Sequence, residues 1–184
     1  MDSLCIHKNT VRSNGRMAFH CENGDTICAT GAIIDIDGQM LLINEVGKKG
    51  WSDLGGKVDK TDICPYSKRE HKHCIIGSLV REVYEETNGR LFGKRRCQFP
   101  QFRSHFLKLL KHSTIKKKYV KHSKYLLFYI SVNSDELPRK IKGILNMKLE
   151  RFGDIEESNG RQREFGWFRE IPKGVKINPR ILHS

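Results

Sequence analysis

Residues 75–89 read IIGSLVREVYEETNG. At 100° per residue, Ile76, Leu79, Val80, Val83 and Thr87 fall on one arc, and Glu82, Glu85 and Glu86 on the neighbouring arc. The pattern predicts a helix over 75–88 that packs along one side and is acidic along the other. Asn88-Gly89 marks its end, because both residues tolerate the left-handed conformation that stops helices.

Upstream, TICATGAIIDI at 26–36 and QMLLINEV at 39–46 flank Asp37-Gly38, the signature of two strands joined by a tight hairpin. A loop follows at Lys48-Lys49-Gly50-Trp51, and SDLGGK then brings the pair Gly55-Gly56, where backbone can approach a ligand closely. Residues 57–74 read as an irregular loop. Downstream, KYLLFYISV at 124–132 and REFGWF at 163–168 read as strands, a helix is expected within 134–151 beginning near SDEL, and the tail after Pro172 reads as loop. Strands on both sides of one strong helix predict an α+β fold, a mixed sheet with helices packed on it.

With 184 residues, one domain with a real core is expected. The apolar fraction is 38% and the charged fraction 30%, which describes a globular chain and excludes a disordered one. No apolar run approaches the roughly 20 residues that span a bilayer, and the N-terminus lacks the apolar core of a secretion signal. The expected location is the cytoplasm, with no membrane partner. There the six cysteines are expected as reduced thiols. Lys and Arg number 34 against 21 Asp and Glu, a formal charge of +13 that draws anions such as phosphates or nucleic acid.

Against that basic background three carboxylates stand at i, i+3 and i+4, close enough to repel. A hard divalent cation such as Mg²⁺ or Mn²⁺ relieves the repulsion, since it takes oxygen ligands and keeps room for water and substrate phosphates. So held, it can neutralise a pyrophosphate and stabilise the charge that develops as a P–O bond breaks, while a further carboxylate acts as general base. Arg81 points about 100° away from Glu82 on the helix, placed to pair with a loop acid, Asp62 or Asp59. A solvated helix face is the competing reading of EVYEE. The upstream glycine pair weighs against it, because it sets bare backbone beside the same helix.

These residues resemble the Nudix hydrolase signature: a glycine, five residues, a glutamate, seven residues, then REUxEExGU with U apolar. Gly56 matches the first glycine, KVDKT fills the gap, and Arg81-Glu82-Val83-Tyr84-Glu85-Glu86 matches REUxEE. The chain departs from the pattern in carrying Asp62 for the glutamate, 18 residues rather than seven before Arg81, and Asn88 in place of the glycine. An inserted loop at about 64–74 accounts for the spacing. The resemblance covers about residues 26–172. It implies an α/β/α sandwich with the catalytic loop and helix, Glu82, Glu85 and Glu86 with the Gly55 carbonyl as metal ligands, and Arg81 paired with Asp62. Gly56, Lys57 and Trp51 are implied at the substrate, and Glu164 or Glu157 as a late acid serving as further ligand or base.

The family cleaves nucleoside diphosphates linked to another group. GGKVDKTD looks like the decapping members, viral ones included, and so points to capped RNA. NGRQREFGWF instead looks like the segment in diphosphoinositol polyphosphate hydrolases. The run 108–124, KLLKHSTIKKKYVKHSK, holds seven lysines around Tyr119 and would suit an RNA backbone, or be a solvated loop. Trp51, Phe99, Phe102 and Tyr119 are the aromatics available to clamp a methylated base, though each is more ordinarily a core or loop residue. A basic RNA-binding module without turnover is the alternative of another class. Cys64, His71, His73 and Cys74 offer a Cys2His2 zinc set, but the spacing fits no common zinc module, and ordinary loop residues are the preferred reading.

Overall fold

The computed structural model describes residues 4–11, 16–45, 50–66, 73–147, 163–170 and 177–178. A three-stranded antiparallel sheet comes first: β1 (Asn9–Val11), β2 (Met17–His20) and β3 (Thr26–Ile27). Met17 and Phe19 of β2 are buried in the main core, so packing begins ahead of residue 26. β4 (Ala29–Ile36) and β5 (Gln39–Glu45) form the expected hairpin. Asp37 and Gly38 at its tip have φ of 52° and 77°, the two positive values that match the turn to the strand twist.

β6 (Trp51–Ser52) pairs with β5, and β7 (Leu54–Lys57) with β4. Next come α1 (Ile75–Glu86), α2 (Phe99–Lys111), β8 (Thr114–Val120), β9 (Tyr125–Val132), a short 3-10 turn at Ser134–Glu136, α3 (Arg139–Ile144) and β10 (Arg163–Phe168). The main sheet runs β10-β5-β4-β9-β8; β4 and β9 are parallel and the other pairs antiparallel, giving a mixed sheet and an α+β fold.

Strand alternation divides the apolar side chains between the two faces. Ala32, Ile34 and Ile36 of β4 share one face with Leu126, Phe128 and Ile130 of β9, and Leu79 and Val83 of α1, Phe102 and Phe106 of α2 and Ile141 of α3 close over it. Ile33, Leu42, Tyr125 and Leu127 look the other way, covered by Trp51, Phe168 and Ile177. Among the described residues all three α-helices lie on the first face. The opposite face carries the Trp51–Ile177 bridge.

Two segments differ from the sequence expectation. α2 occupies 99–111, where no helix was expected, and Phe102 is wholly buried, edge-on to Tyr84 and Phe92, so it cannot clamp a base. The helix within 134–151 starts only at Arg139, because Pro138 forces Leu137 into extended backbone (φ −74°, ψ 141°) and separates the opening turn from α3. The basic run is not one loop. It is the end of α2, the edge strand β8 and a 3-10 turn at Lys121–Ser123. Lys116, Lys117 and Lys118 lie on that edge strand, where exposed charge discourages pairing with another chain. Tyr119 is half-buried and donates its hydroxyl to the Thr26 carbonyl at 2.8 Å, which makes it a packing residue. No described helix is long and apolar enough to cross a membrane.

Candidate metal-binding active site

α1 packs on β7 and β4, and this contact sets the acidic residues over the glycine pair. Gly55 and Gly56 open opposite faces of β7. A Cβ at Gly56 would run into the Glu82 carboxylate; one at Gly55 would run into the Tyr125 hydroxyl. Glu82 is therefore not a solvated acid. It is 5% exposed and rests directly on backbone. Glu85 is half-exposed and Glu86 partly buried. The helix ends at the Thr87 cap, where Asn88 and Gly89 take φ of 47° and 64° and the Gly89 amide donates to the Tyr84 carbonyl at 2.8 Å.

Arg81 makes four hydrogen bonds to protein acceptors and one further ion pair. Nε donates to Asp62 Oδ1 at 2.6 Å and Nη2 to Asp62 Oδ2 at 3.2 Å and the Lys57 carbonyl at 2.7 Å. Nη1 meets Glu82 Oε1 and Glu85 Oε2, each at 2.9 Å. Of the two loop acids considered, Asp62 is the partner. Its buried carboxylate also accepts from Ser78 Oγ at 2.5 Å and the Asp59 amide at 2.7 Å. Asp59 instead closes its own turn, accepting from the amide and hydroxyl of Thr61 at 2.9 Å. The guanidinium therefore ties the β7–α1 loop to two of the three helix acids. Burial opposes its charge, but Asp62, helped by Glu82 and Glu85, outweighs burial and raises its pKa.

Burial pushes the Glu82 carboxyl up from its ordinary 4.5 to about 7; Arg81 pulls it down, and Glu85 and Glu86 push it up further. An acid crowded in this way fits a divalent cation, whose charge replaces the proton, and an all-oxygen donor set suits Mg²⁺ or Mn²⁺. A pH dependence follows. Between about 4.5 and about 7 the folded state keeps a proton that the unfolded chain has lost, so stability falls as pH rises across that window and levels off above it. At about 1.4 kcal/mol per pH unit, the gap corresponds to about 3 kcal/mol. Urea unfolding in chelator should show this downward slope, Glu82→Gln should remove it, and added Mg²⁺ should restore stability chiefly at the alkaline end. A flat profile for the parent chain would contradict the burial argument.

The other expected residues are dispersed. Lys57 is exposed at the end of β7 and gives its carbonyl to Arg81. Trp51 lies on the sheet face away from α1, edge-on to Phe168 at 4.8 Å, and so packs that face. Glu164 accepts from Asn44 Nδ2 at 3.3 Å on the β10–β5 pair, on the same face as Gly166 and Phe168 rather than beside α1. Glu157 lies outside the described residues, as does His71. Phe99 stands edge-on to Tyr84 at 5.1 Å and borders a cleft of about 300 Å³ next to Arg81, Glu85 and Arg103.

No protein-family model matches the chain, and no curated protein sequence does. Among solved structures it is similar to the Bacillus subtilis pyrophosphohydrolase BsRppH, crystallised as a point mutant. The match has a TM-score of 0.37 and 16% identity, and covers 90% of this chain and 80% of that one.

One buried pair escaped the sequence reading. Tyr125 donates its hydroxyl to Asp53, which also accepts from Ser52 Oγ at 2.9 Å, in space that Gly31 and Gly55 leave open. The available signal was the glycine in each of two pairing strands, Gly31 opposite Gly55. Cys5 was missed too. Its thiol sits with those of Cys64 and Cys74, all within 4.8 Å of one another, whereas proximity in sequence alone groups His71 and His73 with those two cysteines.

Proposed function

We propose that the chain is a metal-dependent pyrophosphohydrolase of the Nudix type. The observation that supports this most is the buried Glu82, resting on Gly56 and joined through one guanidinium to Glu85 and Asp62. A purely solvated acidic face would need neither the burial nor the bare backbone beneath it.

In this reading Glu82, Glu85 and Glu86, with the Gly55 carbonyl, hold Mg²⁺ or Mn²⁺. When bound, the ion neutralises the pyrophosphate and stabilises the charge on the leaving oxygen. Arg81 keeps Glu82 and Glu85 in register, and Asp62 keeps Arg81 from turning toward the substrate. The basic surface gathers a polyphosphate substrate, and the GGKVDKTD stretch favours capped RNA among the polyanions that such a charge attracts.

Capped RNA, nucleoside triphosphates, dinucleoside polyphosphates and a diphosphoinositol polyphosphate, offered side by side with Mg²⁺ or Mn²⁺, test the reading. Release of a nucleoside diphosphate from capped RNA, identified by mass, is the expected product. Turnover of the inositol compound alone would move the substrate assignment, and silence across the panel would leave the RNA-binding alternative.

A further inference from the structure

The long insertion between β7 and α1 is closed at its neck. Ile63 and His73 form an isolated antiparallel bridge, and the thiols of the residues that follow each of them, Cys64 and Cys74, lie within 4.8 Å of one another. The N-terminal segment lies across the same neck: the Ile75 amide donates to the Ile6 carbonyl at 3.2 Å, and His7 Nδ1 to the His73 carbonyl at 3.0 Å. Cys5 arrives with it. The three Sγ atoms lie within 4.8 Å of one another, Cys5 and Cys64 at 3.9 Å. Cys64 and Cys74 are buried and Cys5 is partly buried.

We propose that Cys5, Cys64 and Cys74 bind a structural Zn²⁺ ion that clamps the N-terminus and the insertion onto the start of the catalytic helix. Tetrahedral zinc with bonds of about 2.3 Å to sulfur sets its sulfurs about 3.8 Å apart, close to the Cys5–Cys64 separation and far from the roughly 2.05 Å of a disulfide. Three thiols give up their protons to solvent as the ion enters, and three soft thiolates select zinc over the hard cations suited to the carboxylates. Cys74 is the N-cap of α1 and makes no side-chain cap hydrogen bond, so a metal-bound thiolate there also meets the positive end of the helix.

The fourth position falls to water. His7 and His73 each turn Nδ1 to a backbone carbonyl, His73 to that of Asp62 at 3.2 Å, and neither ring joins the three thiols. The clamp has a mechanical purpose. Holding together three points separated by long stretches of chain offsets the closure entropy of an insertion that the helix N-terminus must otherwise bear, and it stabilises the loop carrying Asp62.

The test is metal analysis of the full chain purified under reducing conditions, with Co²⁺ substitution read by absorbance. About one zinc per chain is expected, with thiolate-to-cobalt charge transfer and the strong visible bands of a tetrahedral centre, and a thermal midpoint several degrees lower once zinc is removed. Cys64→Ser and Cys74→Ser should lose the ion, whereas Cys97→Ser, outside the cluster, should keep it. Where a variant fails to fold, Co²⁺ titration of the parent chain supplies the same answer. The paired change of Glu85 and Glu86 to Gln should leave zinc content unchanged, so failure of the hydrolase reading and failure of this one are distinguishable. A chain that neither retains zinc nor takes up Zn²⁺ or Co²⁺, or one lighter by two hydrogens with two of these cysteines joined, would overturn the proposal.

Discussion

Changing Glu85 and Glu86 together to Gln should abolish Mg²⁺- or Mn²⁺-dependent hydrolysis while leaving RNA affinity equal or higher. The amide oxygens still reach outward but carry no charge, so the cation loses most of what holds it among phosphates that bind it equally well. Metal stabilisation of the transition state is worth several kcal/mol, and at about 1.4 kcal/mol per factor of ten the loss is about a thousandfold or more. Folding should barely respond. Glu85 is half-exposed, and its i,i+4 pair with Arg81 is worth about 0.3–0.5 kcal/mol. RNA binding moves in the other direction, because two negative charges leave a surface that phosphates approach. Steady-state hydrolysis and a filter-binding titration on the same preparation check both halves. A variant that hydrolyses at the parent rate would remove these acids from the reaction.

The second large effect is on stability. Asp62→Ala should destabilise the fold by about 3–5 kcal/mol, the usual cost of breaking a buried ion pair from one side. The Asp62 side chain is fully buried and serves Arg81, Ser78 and the Asp59 amide at once. Its removal strands the Ser78 hydroxyl inside the protein and takes from Arg81 the partner that outweighs the cost of its own burial. Asp62→Asn keeps an acceptor of the same shape for Ser78 and Asp59 and should cost distinctly less. Urea unfolding of the three proteins at neutral pH decides it. If Asp62→Ala costs less than about 1 kcal/mol, as surface pairs do, the loop is held by something else. Activity should fall in parallel for both variants, since Arg81 positions Glu82 and Glu85.

Legibility of the fold tracked how local the signal was. The β4–β5 hairpin and β9 were evident because runs of β-branched and aromatic residues and a positive-φ turn are written within about ten consecutive positions. α1 was evident for the same reason, down to its Asn88-Gly89 stop. α2 carried an equally local signal, with Phe99, Phe102, Phe106, Leu109 and Leu110 at helical spacing, yet its aromatics had been considered as ligand clamps and its lysines as part of a basic loop. The run FPQFRSHFLKLLK is half charged or polar, which hides a narrow apolar stripe until a partner surface is supplied. β1 and β2 are too short to have a period at all.

By itself the sequence determined that α1 exists, where it stops, and that three acids and one arginine share it, because a helix repeats every 3.6 residues whatever surrounds it. Only the tertiary structure decided what those residues experience. Packing α1 onto β7 buried Glu82 against Gly56 and raised its pKa, chose Asp62 over Asp59 for Arg81, and carried Cys5 to Cys64 and Cys74. Each of these depends on which loops close over which face, a matter of chain entropy and burial between distant segments that no local pattern encodes.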